Sequence, residues 1–174
     1  MTPEHLVEIL LDADSIRRRV VALGGEISSE FEGEDLCIMP VLDGGMIFAA
    51  DLIREIKLPL TLLPIKASSY GTATTSSGTV SLPWGIPTAV QCKKILLVDD
   101  ILDTGKTFEI LNSELLSAGA TSVHTCALLR KESSNHLKAD YIGFDIPDQF
   151  VVGYGLDLAG KYRNLPCIGI PRNL

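Results

Sequence analysis

Lys94-Ile-Leu-Leu-Val-Asp-Asp-Ile-Leu-Asp-Thr-Gly-Lys-Thr107 is the stretch from which the rest of the chain is best read. Its apolar run, Ile95 to Val98, has the length of a strand buried on both faces. The adjacent acids Asp99 and Asp100 fall where that strand should end. Phe108, Leu111, Leu115 and Ala118 then recur at helical spacing, and Gly119 supplies a C-terminal stop. The spacing predicts strand, tight polar turn, helix.

A helix start leaves several backbone N–H groups without internal partners, and the helix dipole adds positive potential there. Gly105 permits close backbone approach, and Thr104 and Thr107 add hydroxyl donors, so a phosphate is the natural ligand. Asp99 and Asp100 suit sugar hydroxyls or a divalent cation carrying waters. Together these describe a site for a phosphorylated sugar. Gly105-Lys106-Thr107 looks like the tail of a Walker A motif, but that motif needs a glycine at position 100, which is Asp.

Composition sets the outer limits. The chain has 174 residues, 46% of them hydrophobic, enough for one domain with a full core. A net charge of −7 argues against a general nucleic-acid binder. Cys37, Cys92, Cys126 and Cys167 are far apart and suit core positions in a reducing cytoplasm. His5, His124 and His136 show no metal-ligand spacing. No apolar run approaches the roughly 18 residues of a membrane span, and the N-terminus lacks a basic region before an apolar core. The expectation is a cytoplasmic protein.

Along the chain, Glu4 to Leu23 reads as an amphipathic helix ended by Gly24-Gly25, with Arg17, Arg18 and Arg19 on a solvated face. Leu36 to Leu42 is a second buried strand, followed by Asp43-Gly44-Gly45 and a helical run through Ile53, a turn suited either to an anion or to plain connection with glycine chosen for its dihedrals. Leu60 to Ile65 reads as a strand. Ser68 to Thr79 has no charge and much Ser, Thr and Gly, so it is either a plain connection or a lid that excludes water. Val80 to Leu82, Ser122 to Leu129, Asp140 to Phe144 and Phe150 to Tyr154 read as further strands, and Pro83 to Pro87 as a turn.

The organising stretch resembles the phosphoribosyl-pyrophosphate fingerprint of the type I phosphoribosyltransferases: apolar run, two acids, two apolar residues, Asp-Thr-Gly, a basic residue, Thr. Three further blocks resemble the hypoxanthine–guanine branch of that family. They are Val41-Leu42-Asp43-Gly44-Gly45, the Lys131 region, and Pro147 through Asp157 with Lys161-Tyr162-Arg163-Asn164-Leu165-Pro166 after it. The resemblance spans about Leu36 to Pro166. It implies an α/β fold, with a mainly parallel sheet flanked by helices and one domain over 1–174. The core would cover about 1–145, and a base-binding hood about 146–174 with the N-terminal region.

The resemblance also implies roles. Asp99, Asp100, Asp103, Thr104, Gly105, Lys106 and Thr107 would bind phosphoribosyl pyrophosphate (PRPP), and Asp103 would handle the N7 proton of the base. Asp103 could equally cap the helix. Gly44, Gly45, Asp43 and Arg163 would meet the pyrophosphate, with a cis peptide at Leu42–Asp43. Ser69, Tyr70 and Gly71 belong to the flexible catalytic loop. Lys131 would recognise a purine 6-oxo group, since an ammonium only donates. Phe150 would stack on the base, Val151 would hydrogen-bond its edge through the backbone, and Asp157 would hold Mg2+ with Asp99 and Asp100. Apart from the resemblance, an aromatic in a strand such as Phe150 reads as a core residue.

One departure stands out: many family members carry a basic residue where this chain has Asp43, and an acid beside pyrophosphate is unhelpful unless it points away or meets magnesium. The implied activity is transfer of 5-phosphoribosyl from PRPP to hypoxanthine or guanine, with a xanthine preference as a variant. The implied partners are PRPP, a 6-oxopurine and further copies of the chain in a homodimer or homotetramer, with neither nucleic acid nor membrane. Two other classes use the same fold: a nucleotide- or RNA-binding regulator, and a catalytically silent nucleotide-binding subunit.

Overall fold

Ile95, Leu96, Leu97 and Val98 are all fully buried, and they lie in the middle of a parallel sheet. In the computed structural model, which describes residues 7–69, 80–91 and 93–172, the chain runs β1 (Val7–Leu11), α1 (Ala13–Glu30), β2 (Leu36–Leu42), α2 (Gly45–Glu55), β3 (Leu60–Leu62), β4 (Ile65–Lys66), β5 (Ser68–Ser69) and β6 (Val80–Ser81). It continues through β7 (Lys94–Leu102), α3 (Lys106–Ser117), β8 (Ser122–Lys131) and β9 (Tyr141–Ile146) to β10 (Ile168–Pro171).

The main sheet has the order β3-β2-β7-β8-β9, with β4 also pairing on β2, and every pairing in it is parallel. Strands buried on both faces read as continuous apolar runs, as β2 and the first half of β7 do. One face packs on α1 and α2 through Ile16, Leu23, Phe48 and Leu52 against Leu36, Ile38, Leu96 and Val98. The other packs on α3 through Phe108, Leu111 and Leu115 against Met39, Ile95 and Leu97. The α/β class with helices flanking a mainly parallel sheet is the expected one.

Several local expectations are corrected. Residues 7–11 form a strand, not the start of a helix, and β1 pairs antiparallel with β10, which the sequence reading did not anticipate. α1 is capped by Asp12, whose side chain accepts the Ser15 N–H at 2.6 Å. It also runs through Gly24-Gly25 to Glu30 instead of stopping there. The reason for glycine at 24 is contact: a Cβ there would come within 2.5 Å of the Glu55 Cβ on α2. Arg19 is not merely solvated. It donates to the carbonyls of Ile142 and Gly143 on the edge strand β9, and it pairs with Glu26 at 2.7 Å.

The stretch Leu60 to Ile65 is two short strands, β3 and β4, which pair successively with β2. Phe150 to Tyr154 is not a strand. Val152 makes a single bridge to Gly169, and positive φ at Gly153, Tyr154 and Gly155 coils the segment. Finally, β7 does not end at the two acids but runs on to Leu102.

Candidate active site

Register places the site. β2 and β7 are adjacent and parallel, so their C-terminal ends, and the turns that lead into α2 and α3, open on the same edge of the sheet. A cleft of about 380 Å3 lies there, lined by Leu42, Gly44, Ala67, Asp99, Asp100, the Asp103-Thr104-Gly105 turn, Thr107, Asp157 and Arg163. The sequence-predicted Asp43, Gly45, Lys106, Lys131, Phe150 and Val151 do not line it.

The two turns are built alike. Gly44 precedes α2 and Gly105 precedes α3, and neither helix has a side-chain cap on its first N–H groups. Asp103 is therefore not the cap of α3, whose first N–H groups have no side-chain partner. Gly105 has φ +75°, the left-handed conformation that glycine adopts without strain. Gly44 is needed for space, because a Cβ there would sit 1.8 Å from the Asp100 Oδ2. The Leu42–Asp43 peptide is cis, as the resemblance implied.

Asp99 and Asp100 lie between the turns, and the Asp100 N–H donates to the Asp99 Oδ1 at 2.9 Å. Burial raises both carboxyls above the ordinary carboxylate range, and the charge of Asp100 pushes Asp99 further. Among the described residues no three His, Cys, Asp or Glu side chains converge as a metal cage. Asp157 is engaged elsewhere, accepting from the Gly160 N–H at 2.7 Å and pairing with Arg163 at 2.7 Å.

The next pair of strands fixes Lys131. Leu102 of β7 is in register with Arg130 of β8, so the residues that follow each, Asp103 and Lys131, emerge side by side. The Lys131 Nζ lies 3.1 Å from the Asp103 Oδ2. Ser134, buried and polar, was not singled out from sequence, yet its hydroxyl donates to the Asp103 carbonyl. Asp148 was also missed. It accepts from the Ser133 N–H and hydroxyl at 3.1 and 2.5 Å, which ties the segment leading to Phe150 to the end of β8.

Phe150 is 47% exposed, so the core reading fails and its ring is available as a platform, whereas Val151 is buried. Arg163 donates to the Gly155 carbonyl, and a Cβ on Gly155 would come within 2.2 Å of the Gly44 carbonyl. The Tyr154 hydroxyl donates to Asp51 of α2 at 2.7 Å. The segment from Val151 to Arg163 is thus bolted onto the Asp43–Gly45 turn.

Asp43 carries the main surprise. Its Oδ2 is 2.5 Å from the Nζ of Lys66, and that ammonium holds the Asp43 carboxyl below the usual carboxylate range. Lys66 was passed over in sequence, although a signal existed: it is the one charged residue between Lys57 and Lys93. Of the expected flexible loop, Tyr70 and Gly71 lie outside the described residues. Ser69 ends β5, which pairs antiparallel with β6 as the stem of that segment.

Comparison with known proteins agrees with this geometry. Residues 7–158 match the phosphoribosyl transferase domain family. The chain is 39% identical to the hypoxanthine-guanine phosphoribosyltransferase of Bacillus subtilis (strain 168), over 98% of this chain and 96% of that protein. A hypoxanthine phosphoribosyltransferase structure from Staphylococcus aureus superposes with a TM-score of 0.91 at 33% identity, covering 99% of this chain and 95% of that one. A hypoxanthine-guanine phosphoribosyltransferase structure from Bacillus anthracis gives 0.88 at 40% identity, covering 95% and 98%. Near-complete coverage at these identities leaves one conclusion: the chain belongs to the phosphoribosyltransferase family, on its hypoxanthine-guanine branch.

Proposed function

We propose that this protein is a purine-salvage enzyme that transfers 5-phosphoribosyl from PRPP to N9 of hypoxanthine or guanine, yielding the nucleoside monophosphate and pyrophosphate. The observation that carries this reading is the convergence of two uncapped strand-to-helix turns on one cleft. Asp99 and Asp100 lie between them, and the Asp103–Lys131 pair is at one side.

The α3 turn, Thr104 to Thr107, receives the 5-phosphate on its free N–H groups. The Gly44–Gly45 backbone and Arg163 receive the pyrophosphate. In the reaction the C1–O bond to pyrophosphate breaks as C1–N9 forms, and positive charge grows on the ribose. Asp99 and Asp100 hold the ribose hydroxyls and stabilise that charge. The N7 proton of the incoming base passes to Asp103. Lys131, already at Asp103, donates to the 6-oxo group, which selects 6-oxopurines over adenine. Phe150 offers its exposed face to the base, and the Val151 backbone meets the base edge. The C-terminal segment from about residue 146, with the N-terminal region, serves as the hood over it.

The donor set suits Mg2+. Paired carboxylates whose proton affinity is raised by burial, and for Asp99 also by the charge of Asp100, gain from a hard cation. With no three-residue cage among the described residues, most of its ligands would come from substrate oxygens and water. Asp99 and Asp100 are the nearer candidates to hold it, with Asp157 a third once released from Arg163. When bound, the ion neutralises charge on the departing pyrophosphate. The reading extends to a cytoplasmic enzyme, in keeping with the buried thiols of Cys37 and Cys126, and to a homodimer or homotetramer.

The test is Mg2+-dependent pyrophosphate release from PRPP with hypoxanthine, guanine, xanthine and adenine in parallel. Turnover with 6-oxopurines alone is expected, and the xanthine rate decides the variant. Silence with all four, from folded protein that still binds a nucleoside monophosphate, would replace the enzyme by a regulator or silent subunit.

A further inference from the structure

Asp43 places an acid at the turn assigned to pyrophosphate, and the structure gives that acid a partner from another element. β4 pairs with β2 in parallel, with Leu42 opposite Lys66. Asp43 follows Leu42 directly, and the Lys66 ammonium reaches to 2.5 Å from its carboxylate. Of the four chain neighbours of the pair, Leu42, Gly44 and Ala67 line the cleft, so the pair stands on its rim. Arg163, which also lines the cleft, is close enough for its charge to act on Asp43. Lys66 leads through Ala67 into β5. It is the one charged residue in a run of otherwise uncharged sequence between Lys57 and Lys93.

Resting on the phosphoribosyl-transfer reading, we propose that Lys66 is a pyrophosphate-binding residue of this enzyme, and that Asp43 is an internal competitor for its ammonium. In the ligand-free protein the carboxylate holds Lys66 at the rim. An arriving pyrophosphate, with more charge and more acceptor oxygens than one carboxylate, draws the ammonium from Asp43 to itself. The turn thus gains a cation from β4 in place of one within the turn itself, and Asp43 sets how much of that attraction is spent before binding. The consequence is a donor site weaker than its full charge would allow and quicker to release pyrophosphate.

The experiment is a double-mutant cycle read by calorimetric binding of magnesium pyrophosphate, so it stands whether or not the protein turns over. Lys66→Met is expected to weaken binding about tenfold, and Asp43→Asn to tighten it about threefold. In the Lys66→Met background, Asp43→Asn is expected to change nothing, since the competitor has nothing left to hold. Lys66→Gln replaces Lys66→Met if the latter lowers the melting temperature. Wild-type affinity in the Lys66 variant overturns the binding role. A threefold gain from Asp43→Asn in both backgrounds overturns the competition and leaves simple repulsion. Failure of the transfer reading would appear separately, as silence of the wild-type protein in the four-base assay.

Discussion

The turns after β2 and β7 look like copies of one device, yet they demand glycine for different reasons. Each joins a buried parallel strand to an uncapped helix and opens on the same cleft. At Gly105 the demand is a dihedral, φ +75°, and a Cβ would only brush Leu137 at 3.1 Å. At Gly44 and Gly45 the backbone is ordinary and the demand is space. Gly44 faces the Asp100 carboxylate, and Gly45 faces the Val98 carbonyl at 2.8 Å and the Asp99 Cα at 3.0 Å. The β2 turn is therefore pressed against β7, whereas the β7 turn is bent on its own account. Turns of similar outward form differ in what breaks them.

The largest expected effect comes from the residue that opens the β7 turn. If Asp103 moves a proton and does not cap α3, Asp103→Asn should lower kcat by about 10²- to 10⁴-fold. PRPP affinity should stay within about threefold, and the melting temperature should barely move. A cap would behave oppositely, losing about 1 kcal/mol of stability with little change in turnover. Steady-state kinetics and a thermal melt on the same preparation separate the two.

The glycines come next. Gly45→Ala must push α2 off β7, because the obstacle is backbone on a central strand. A loss of about 2–3 kcal/mol in denaturant unfolding is expected. Gly44→Ala meets only the end of the Asp100 side chain, which can rotate away. The expected cost there is about tenfold in PRPP affinity, with the melting temperature within a degree or two. Gly105→Ala should cost about 1 kcal/mol of stability through its left-handed φ, with a smaller change in affinity. If Gly44→Ala proves as destabilising as Gly45→Ala, the division between a ligand-facing and a packing glycine in that turn collapses.

The strand-turn-helix at 94–117 and the strand at 36–42 were legible because their signals are local. An apolar run, a polar turn and a 3.6-residue period all fit within one window. The failures share the opposite property. Residues 7–11 are a strand only because residues 168–171 exist to pair with them, and Leu6, Ile9 and Leu10 also happen to fit the helical spacing of Ala13 and Ile16. Gly24-Gly25 reads as a terminator until Glu55 of α2 is seen against it. The short apolar run from Phe150 to Tyr154 imitates a strand, but glycines at 153 and 155 coil it onto the Gly44 turn. At the site, Asp103 beside Lys131 follows from register across β7 and β8, which motif spacing alone does not encode. Lys66 is harder still, since its meaning rests on Asp43, 23 residues away in the turn after β2.

The smallest effect concerns the floor shared by both turns. Burial, and for Asp99 the neighbouring charge of Asp100, raise these carboxyls in the folded chain above their unfolded values. A carboxyl that binds its proton more tightly when folded favours the fold at low pH. That contribution is fully present below the ordinary carboxylate value and is lost as pH rises through the raised one. In the presence of a chelator the protein should therefore melt lower at pH 8 than at pH 5 on this account. Asp100→Asn removes one of the two charges and should raise the melting temperature at pH 8 by roughly 2–4 °C, narrowing the gap between the two pH values. The same substitution should weaken PRPP binding in the presence of Mg2+, because the repulsion it relieves is what makes the pair a good host for a cation. A variant that melts no higher at pH 8, measured by differential scanning calorimetry, would mean that the two acids are already accommodated without a cation. The cost of holding unpaired charge would then have to lie elsewhere in the cleft, with Asp157 and its Arg163 partner the next pair to separate.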